Sequence, residues 1–227
     1  MFLWRKKINL EAIPRVLPFF VYMAFLFVTD MVSRIGRPGW DVRWLYAVKI
    51  ALVAALLFLF REKYQELKPA QRIRIGELVL ASVLGAVVFI AWINLNIGWL
   101  VTGSVSAFNP LDKAGINLPL MVIRMAGATL VVPLMEELFW RSFLLRWLES
   151  KDFTGVDPAR IGLRSCLAVT VLFGFEHNLW FAGMLAAIVY NFLYIYTKNL
   201  WLPIVSHAVT NGLLGIWVVV GNHWEFW

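Results

Sequence analysis

Long apolar runs separated by short polar stretches dominate the chain. Windows at 17–32, 44–60, 77–93, 125–147, 163–177, 180–197 and 200–220 carry few charges, and each approaches the roughly 20 residues a helix needs to cross a hydrocarbon core. The pattern predicts an all-α fold: a polytopic transmembrane helix bundle of about seven to eight spans. Between the third and fourth windows, residues 96–118 hold Gly98, Gly103, Ser104, Ser106, Asn109, Pro110, Asp112, Gly115 and Asn117, the composition of a loop. No repeat and no low-complexity tract interrupts the pattern.

Composition agrees. Hydrophobic residues make up 61% of the 227 and charged residues 15%, well below the ~25% of a soluble domain, and mean hydropathy is +0.73. Tryptophans such as Trp99, Trp180, Trp201, Trp224 and Trp227 fall near the ends of the windows, as rings seated at headgroup level should. Arg5, Lys6 and Lys7 precede the first window with no small-residue cleavage site after it, which predicts a retained anchor and not a removed signal. The lone Cys166 offers no disulfide framework, and packing is its expected role.

The net charge of +7 reads as topology. Basic residues gather at 5–7, at Arg61, Lys63, Lys68, Arg72 and Arg74, at Arg146, Lys151, Arg160 and Arg164, and at Lys198, in alternate loops. The positive-inside bias then puts the N-terminus in the cytoplasm. Membrane lipid is an expected partner, and nucleic acid is not.

Polar residues inside the windows divide the chain. Residues 1–227 read as a single integral membrane domain, with 1–115 as N-terminal scaffold spans, in which Lys49 must snorkel or face the bundle, and 116–220 as the part that carries chemistry. Glu136 and Glu137 lie in an apolar window, where a charge costs on the order of 3 kcal/mol even on lenient insertion scales. Glu137 and Arg141 are an i,i+4 pair on one helix face, while Glu136 points about 100° away. Two buried ion pairs would be the purely structural reading. Pro133 frees a carbonyl just upstream, where a kink is expected.

Two further pairs follow. Phe173 and His177 are spaced i,i+4, and an interfacial histidine is the plain reading of that spacing. His207 and Asn211 project together from the last window, where interhelical hydrogen bonding is the plain reading. Counted from Trp147, Glu136 lies about 16 Å deep at ~1.5 Å per residue, near mid-membrane; His207 and His177 lie at about 10 and 20 Å on the same count. A bent or short fifth span would bring His177 level with the others.

The ordered set Glu136-Glu137-x-x-x-Arg141, Phe173-x-x-x-His177 and His207-x-x-x-Asn211, on separate helices between residues 126 and 215, resembles the CPBP family of intramembrane proteases. That family includes the type II CAAX prenyl endopeptidases and bacteriocin-processing or self-immunity proteins. The stretch 133–148 looks like its exosortase-associated CAAX protease-related branch. The resemblance implies an endopeptidase that hydrolyses a peptide bond of a membrane-anchored or lipidated peptide or protein in a bacterial cytoplasmic membrane. It implies Glu136 as general base on a water, His177 holding that water, His207 and Asn211 stabilising the oxyanion, and Glu137, Arg141 and Phe173 in support. No cofactor is expected by that similarity. Zinc is the mechanistic alternative, with Glu136, His177 and His207 as ligands, although the His-Glu-x-x-His spacing is absent. A proton-coupled transporter using the buried carboxylates and histidines, and a non-catalytic membrane binding or immunity protein, are the alternatives from other classes.

Overall fold

The computed structural model describes residues 10–35, 40–68, 73–103 and 108–227. Arg5, Lys6 and Lys7, on which the anchor and orientation rest, lie outside the described residues, as do Arg72, Ser104 and Ser106. Every predicted window is helical. The helices are α1 (Ile13–Ile35), α2 (Trp44–Leu59), α3 (Ile75–Asn94), α4 (Leu118–Trp147), α5 (Leu163–Glu176), α6 (Trp180–Thr197) and α7 (Trp201–Gly221). Five of them, α1, α3, α4, α6 and α7, are long and apolar enough to cross a membrane; α2 has 16 residues and α5 has 14. Protein shaped as an all-α polytopic bundle is the result, with a two-residue hairpin, Leu111–Asp112 against Gly115–Ile116, as the sheet among the described residues.

Local chemistry sets the helix ends. The Glu77 carboxylate accepts from the Arg74 amide at 2.9 Å and caps α3. Asn117 Oδ1 accepts from the Leu120 amide at 3.2 Å and starts α4 seven residues before the predicted window, with Pro119 in its first turn. Lys198 and Asn222, both with positive φ, end α6 and α7 in left-handed caps.

Close crossings bring the helices that carry polar residues together. α3 packs against α7, and α5 against α6. At Gly85 of α3 a side chain would overlap the Ser206 carbonyl of α7. At Gly174 of α5 a Cβ would come within 2.8 Å of the Trp180 carbonyl oxygen and 2.5 Å of Met184 Cγ. On the other side of α4, Phe19 of α1 stacks on Phe139 with centroids 3.9 Å apart.

A polar clamp ties one end of the bundle. Arg15 of α1 donates Nε to Glu66 Oε1 at 2.8 Å and Nη2 to Oε2 at 2.7 Å. Ser142 of α4 donates to the same carboxylate, and Arg146 donates to the Ser142 hydroxyl at 2.8 Å. Burial would raise the Glu66 carboxyl, but the Arg15 guanidinium and the Ser142 hydroxyl outweigh it and hold the group below its ordinary value.

The tryptophans divide. Trp99 is exposed, as a headgroup-level ring should be, and Trp180 Nε1 donates to its carbonyl at 3.0 Å. Trp224 and Trp227 are buried against Val218, so they plug the bundle and do not anchor it. Lys49 faces the bundle and is buried.

Candidate active site

α4 departs from α geometry on both sides of the glutamates. It widens to π geometry at Gly127–Val131 and Leu138–Leu144, leaving one short α stretch, Val132–Glu137, between them. Pro133 is part of the cause. The Val132 amide donates to the Gly127 carbonyl, an i to i−5 bond. Continued by one residue, that register would need an amide at 133 for the Ala128 carbonyl, which proline lacks. Asn211 Nδ2 of α7 donates to Ala128 O at 2.9 Å in its place. The expected kink is therefore a π widening, stitched to the last helix.

The two glutamates have different surroundings. Glu137 is fully buried; its Oε1 accepts from Arg141 Nη1 at 3.1 Å and from His207 Nδ1 at 2.9 Å. Arg141 is held in turn by Asn191 Oδ1 at 3.2 Å, and its guanidinium lies over Phe173 and Tyr190, 4.7 and 5.2 Å from their centroids. Asn191 donates onward to Thr170 Oγ1 at 3.3 Å. Glu136 lines a cavity of 190 Å³ with His177, His207 and Asn211. Its Oε2 has no hydrogen-bond partner among the described residues, and it stands 4.0 Å from His207 Nε2.

Both histidines are oriented through Nδ1. His177 Nδ1 lies 2.8 Å from the Phe173 carbonyl, which only accepts, so Nδ1 carries the proton there and Nε2 keeps a lone pair. His177 is not on the helix face the i,i+4 spacing suggested. α5 ends at Glu176, and His177 has extended backbone angles just past it, with its ring still 4.8 Å from that of Phe173. The short fifth helix thus delivers His177 to the cavity. Trp92 of α3 meets its ring edge-on at 5.3 Å, and Tyr190 stacks on His207 at 5.0 Å.

Each predicted residue is accounted for: Glu136, Phe173, His177, His207 and Asn211 line the cavity, while Glu137 and Arg141 stand behind it. Sequence reasoning missed the bond from Glu137 to His207, and it missed Asn191 and Tyr190, whose signal is a polar group within an apolar helix. It also passed over Glu176, whose Oε2 accepts from Trp140 Nε1 at 3.1 Å. With both Nδ1 atoms serving protein oxygens, the histidines would meet a metal through Nε2, beside Glu136 Oε2, and no group of three or more His, Cys, Asp or Glu side chains among the described residues is placed to hold one.

Residues 118–213 match the family model described as type II CAAX prenyl endopeptidase Rce1-like. Over that segment the chain is similar to the Rce1-like members of the CPBP/CAAX protease family. No curated protein and no solved structure matches the chain. The Rce1-like segment starts at the first residue of α4, earlier than the predicted 126, and runs into α7 to include Asn211. It holds all three motifs. The family is one of membrane proteases. The Rce1-like segment does not supply the whole cavity: Tyr22 of α1, Tyr46 of α2 and Trp92 of α3 line it from one side of the sequence, and Leu214, Phe226 and Trp227 from the other.

Proposed function

We propose that the protein is an intramembrane endopeptidase in which Glu136 activates a water to hydrolyse a peptide bond of a membrane-anchored or lipidated substrate. The observation that carries this reading is the unpartnered Glu136 Oε2 in a cavity shared with two histidines, both tied down at Nδ1. A carboxylate without a hydrogen bond there has room to accept one from water.

In the proposed reaction, His177 Nε2 and Glu136 hold the water. Glu136 takes its proton as the oxygen attacks the carbonyl carbon, and gives that proton to the leaving amine nitrogen when the C–N bond breaks. His207, with Glu137 at Nδ1 to balance positive charge, and the second amide hydrogen of Asn211 face the developing oxyanion; preorganised donors of this kind contribute ~3 kcal/mol each in favourable cases. Glu137 and Arg141 position His207. Residues 1–115 act as scaffold and 116–220 as catalytic core, in a bacterial cytoplasmic membrane with the N-terminus inside.

The test is cleavage of acylated, membrane-anchored peptides by purified protein, comparing wild type with Glu136→Gln and His207→Ala. Both substitutions abolish or strongly reduce cleavage; if neither does, the assignment is wrong. Activity that survives exhaustive chelation, in protein shown metal-free by elemental analysis, eliminates the zinc alternative. Ion flux across liposomes without proteolysis would instead identify a transporter, and function retained in Glu136→Gln a non-catalytic protein.

A further inference from the structure

Bonds between loops distinguish the two ends of the bundle. At one end, Arg15, Glu66, Ser142 and Arg146 tie together the start of α1, the α2–α3 loop and the end of α4. Trp201 Nε1 donates to Leu67 O at 3.1 Å and Lys198 Nζ pairs with Asp157 Oδ2 at 3.1 Å, which brings the α6–α7 turn and the α4–α5 loop to that end as well. At the other end, Arg43 Nη1 donates to Asn109 O at 3.1 Å, the Thr102 amide to Asn178 O at 2.8 Å and the Phe108 amide to Trp227 O at 2.8 Å. Those three bonds join the α1–α2 and α3–α4 loops to the α5–α6 turn and to the segment after α7.

The catalytic cavity reaches toward the second end and not the first. Its wall on α4 is Arg124, Ala128, Val132 and Glu136, and on α7 it begins at His207 and runs on to Leu214. One turn past Glu136, Trp140 is 5% exposed and packs edge-on against Phe19 and Phe173, each centroid 5.6 Å away. Beyond Trp140 stands the Arg15–Glu66 clamp, so the first end is sealed. Toward the second, Tyr46, Arg124 and Trp227 belong to the wall of the catalytic cavity and also to that of a neighbouring cavity of 490 Å³, which reaches the exposed Asp30, Ser33 and Asn178. That route is the mouth.

Charge separates the same two ends. The sealed end has Arg61, Lys63, Lys68 and Arg74 between α2 and α3, Arg146, Lys151, Arg160 and Arg164 around the α4–α5 loop, and Lys198 at the α6–α7 turn. The loops and helix ends at the mouth have Arg34, Arg43 and Lys113 among the described residues. Lysine and arginine in short loops are retained on the cytoplasmic side, and acidic residues count for little in that bias.

We propose that the catalytic cavity opens on the extracytoplasmic face, and that the substrate is a membrane-anchored peptide whose cleaved segment lies on that face. The substrate rests on the proteolytic reading; the mouth does not, and takes its side from the charge bias alone. A polar peptide segment does not cross hydrocarbon unaided. A translocation reaction must therefore supply the substrate, and the polar product is released outside the cell membrane.

The experiment uses spheroplasts and inverted membrane vesicles from cells that express the full chain, which present opposite faces to the medium. In a Cys166→Ser background, Ser33→Cys and Asn178→Cys report on the mouth, Ala128→Cys and Leu214→Cys on the catalytic cavity, and Gln65→Cys and Thr154→Cys on the sealed end. Each is treated with a charged methanethiosulfonate, which does not cross the bilayer. The mouth and cavity positions are expected to react in spheroplasts and not in intact inverted vesicles, and the sealed-end positions the reverse. Mouth or cavity positions that react from the cytoplasmic face overturn the proposal. So do cavity positions that stay unreactive in spheroplasts where the mouth positions react.

Wild-type preparations then receive N-acylated peptides with charged C-terminal halves, with the rate in Glu136→Gln preparations subtracted. Spheroplasts are expected to cut them, and inverted vesicles to do so after opening with detergent. Intact inverted vesicles that cut as fast as spheroplasts overturn the proposal. If nothing is cut even in detergent, hydrolysis and the substrate are refuted together, and the labelling pattern still upholds or overturns the extracytoplasmic mouth.

Discussion

His207 Nδ1 lies 2.9 Å from Glu137 Oε1, so the histidine of the last helix is oriented by the second glutamate and presents Nε2 toward the first. One carboxylate oxygen thereby serves both Arg141 and His207. The two adjacent glutamates are expected to fail differently on substitution. Glu136→Gln abolishes cleavage while leaving the melting temperature near that of wild type. Glu137→Gln leaves the buried Arg141 without its counter-charge and lowers stability by about 3 kcal/mol or more, measured by chemical or thermal unfolding in detergent. Equal stability losses for both would contradict the division of roles.

Asn211 and Pro133 should be energetically coupled through the Ala128 carbonyl. Asn211→Leu removes the donor to that oxygen and costs about 1–3 kcal/mol for an unsatisfied buried acceptor. Pro133→Ala restores a backbone amide in register with it, and in the double variant the penalty of Asn211→Leu shrinks. A double-mutant cycle on unfolding free energy measures this; additive effects would rule the coupling out.

The clamp at Glu66 sets an acid limit on stability. Its carboxyl is held below the ordinary value in the folded protein, so the charged form is the one folding favours. The contribution is complete above the unfolded value of about 4.3 and is lost as pH falls through the lower folded value. Glu66→Gln lacks this pH dependence. It also leaves Arg15 with the exposed Glu11 at 3.9 Å as its nearest ion-pair partner. Melting temperature against pH for wild type and variant is the readout; parallel curves below pH 5 would refute the assignment.

The α3–α7 crossing has no room for a methyl group. Gly85→Ala forces α3 away from Ser206, one position before His207, and is expected to cost about 1–3 kcal/mol by overpacking and to lower kcat. Gly212→Ala is the control, since its nearest neighbour would be Thr129 Cγ2 at an ordinary 3.5 Å. A harmless Gly85→Ala would show that the crossing can relax.

The helices and the residues of the cavity were legible because both signals are local. Apolar run lengths place the helices, and i,i+4 spacing pairs Glu137 with Arg141. The bond from Glu137 to His207 spans 70 positions, and no periodicity encodes a contact between helices that distant. His177 was placed on a helix because its spacing from Phe173 is helical; the chain leaves the helix at Glu176 before turning into α6, where Gly174 and Gly183 bring the two helices together. Trp224 and Trp227 read as interfacial because they lie just past the end of the last apolar window, whereas the cluster around Val218 buries them.

The wide turns of α4 also make the site sensitive to chain length in a way that substitutions do not probe. A π stretch holds one residue more than the α turns it replaces. Deleting a single residue within Gly127–Val131 would let that stretch close to α pitch with its two flanks still in register, because the wide turn carries the residue that is lost. The same deletion in the α stretch Val132–Glu137, which has no residue to spare, would rotate everything before it by about 100° relative to Arg141. The two halves of α4 are indexed to each other by one residue.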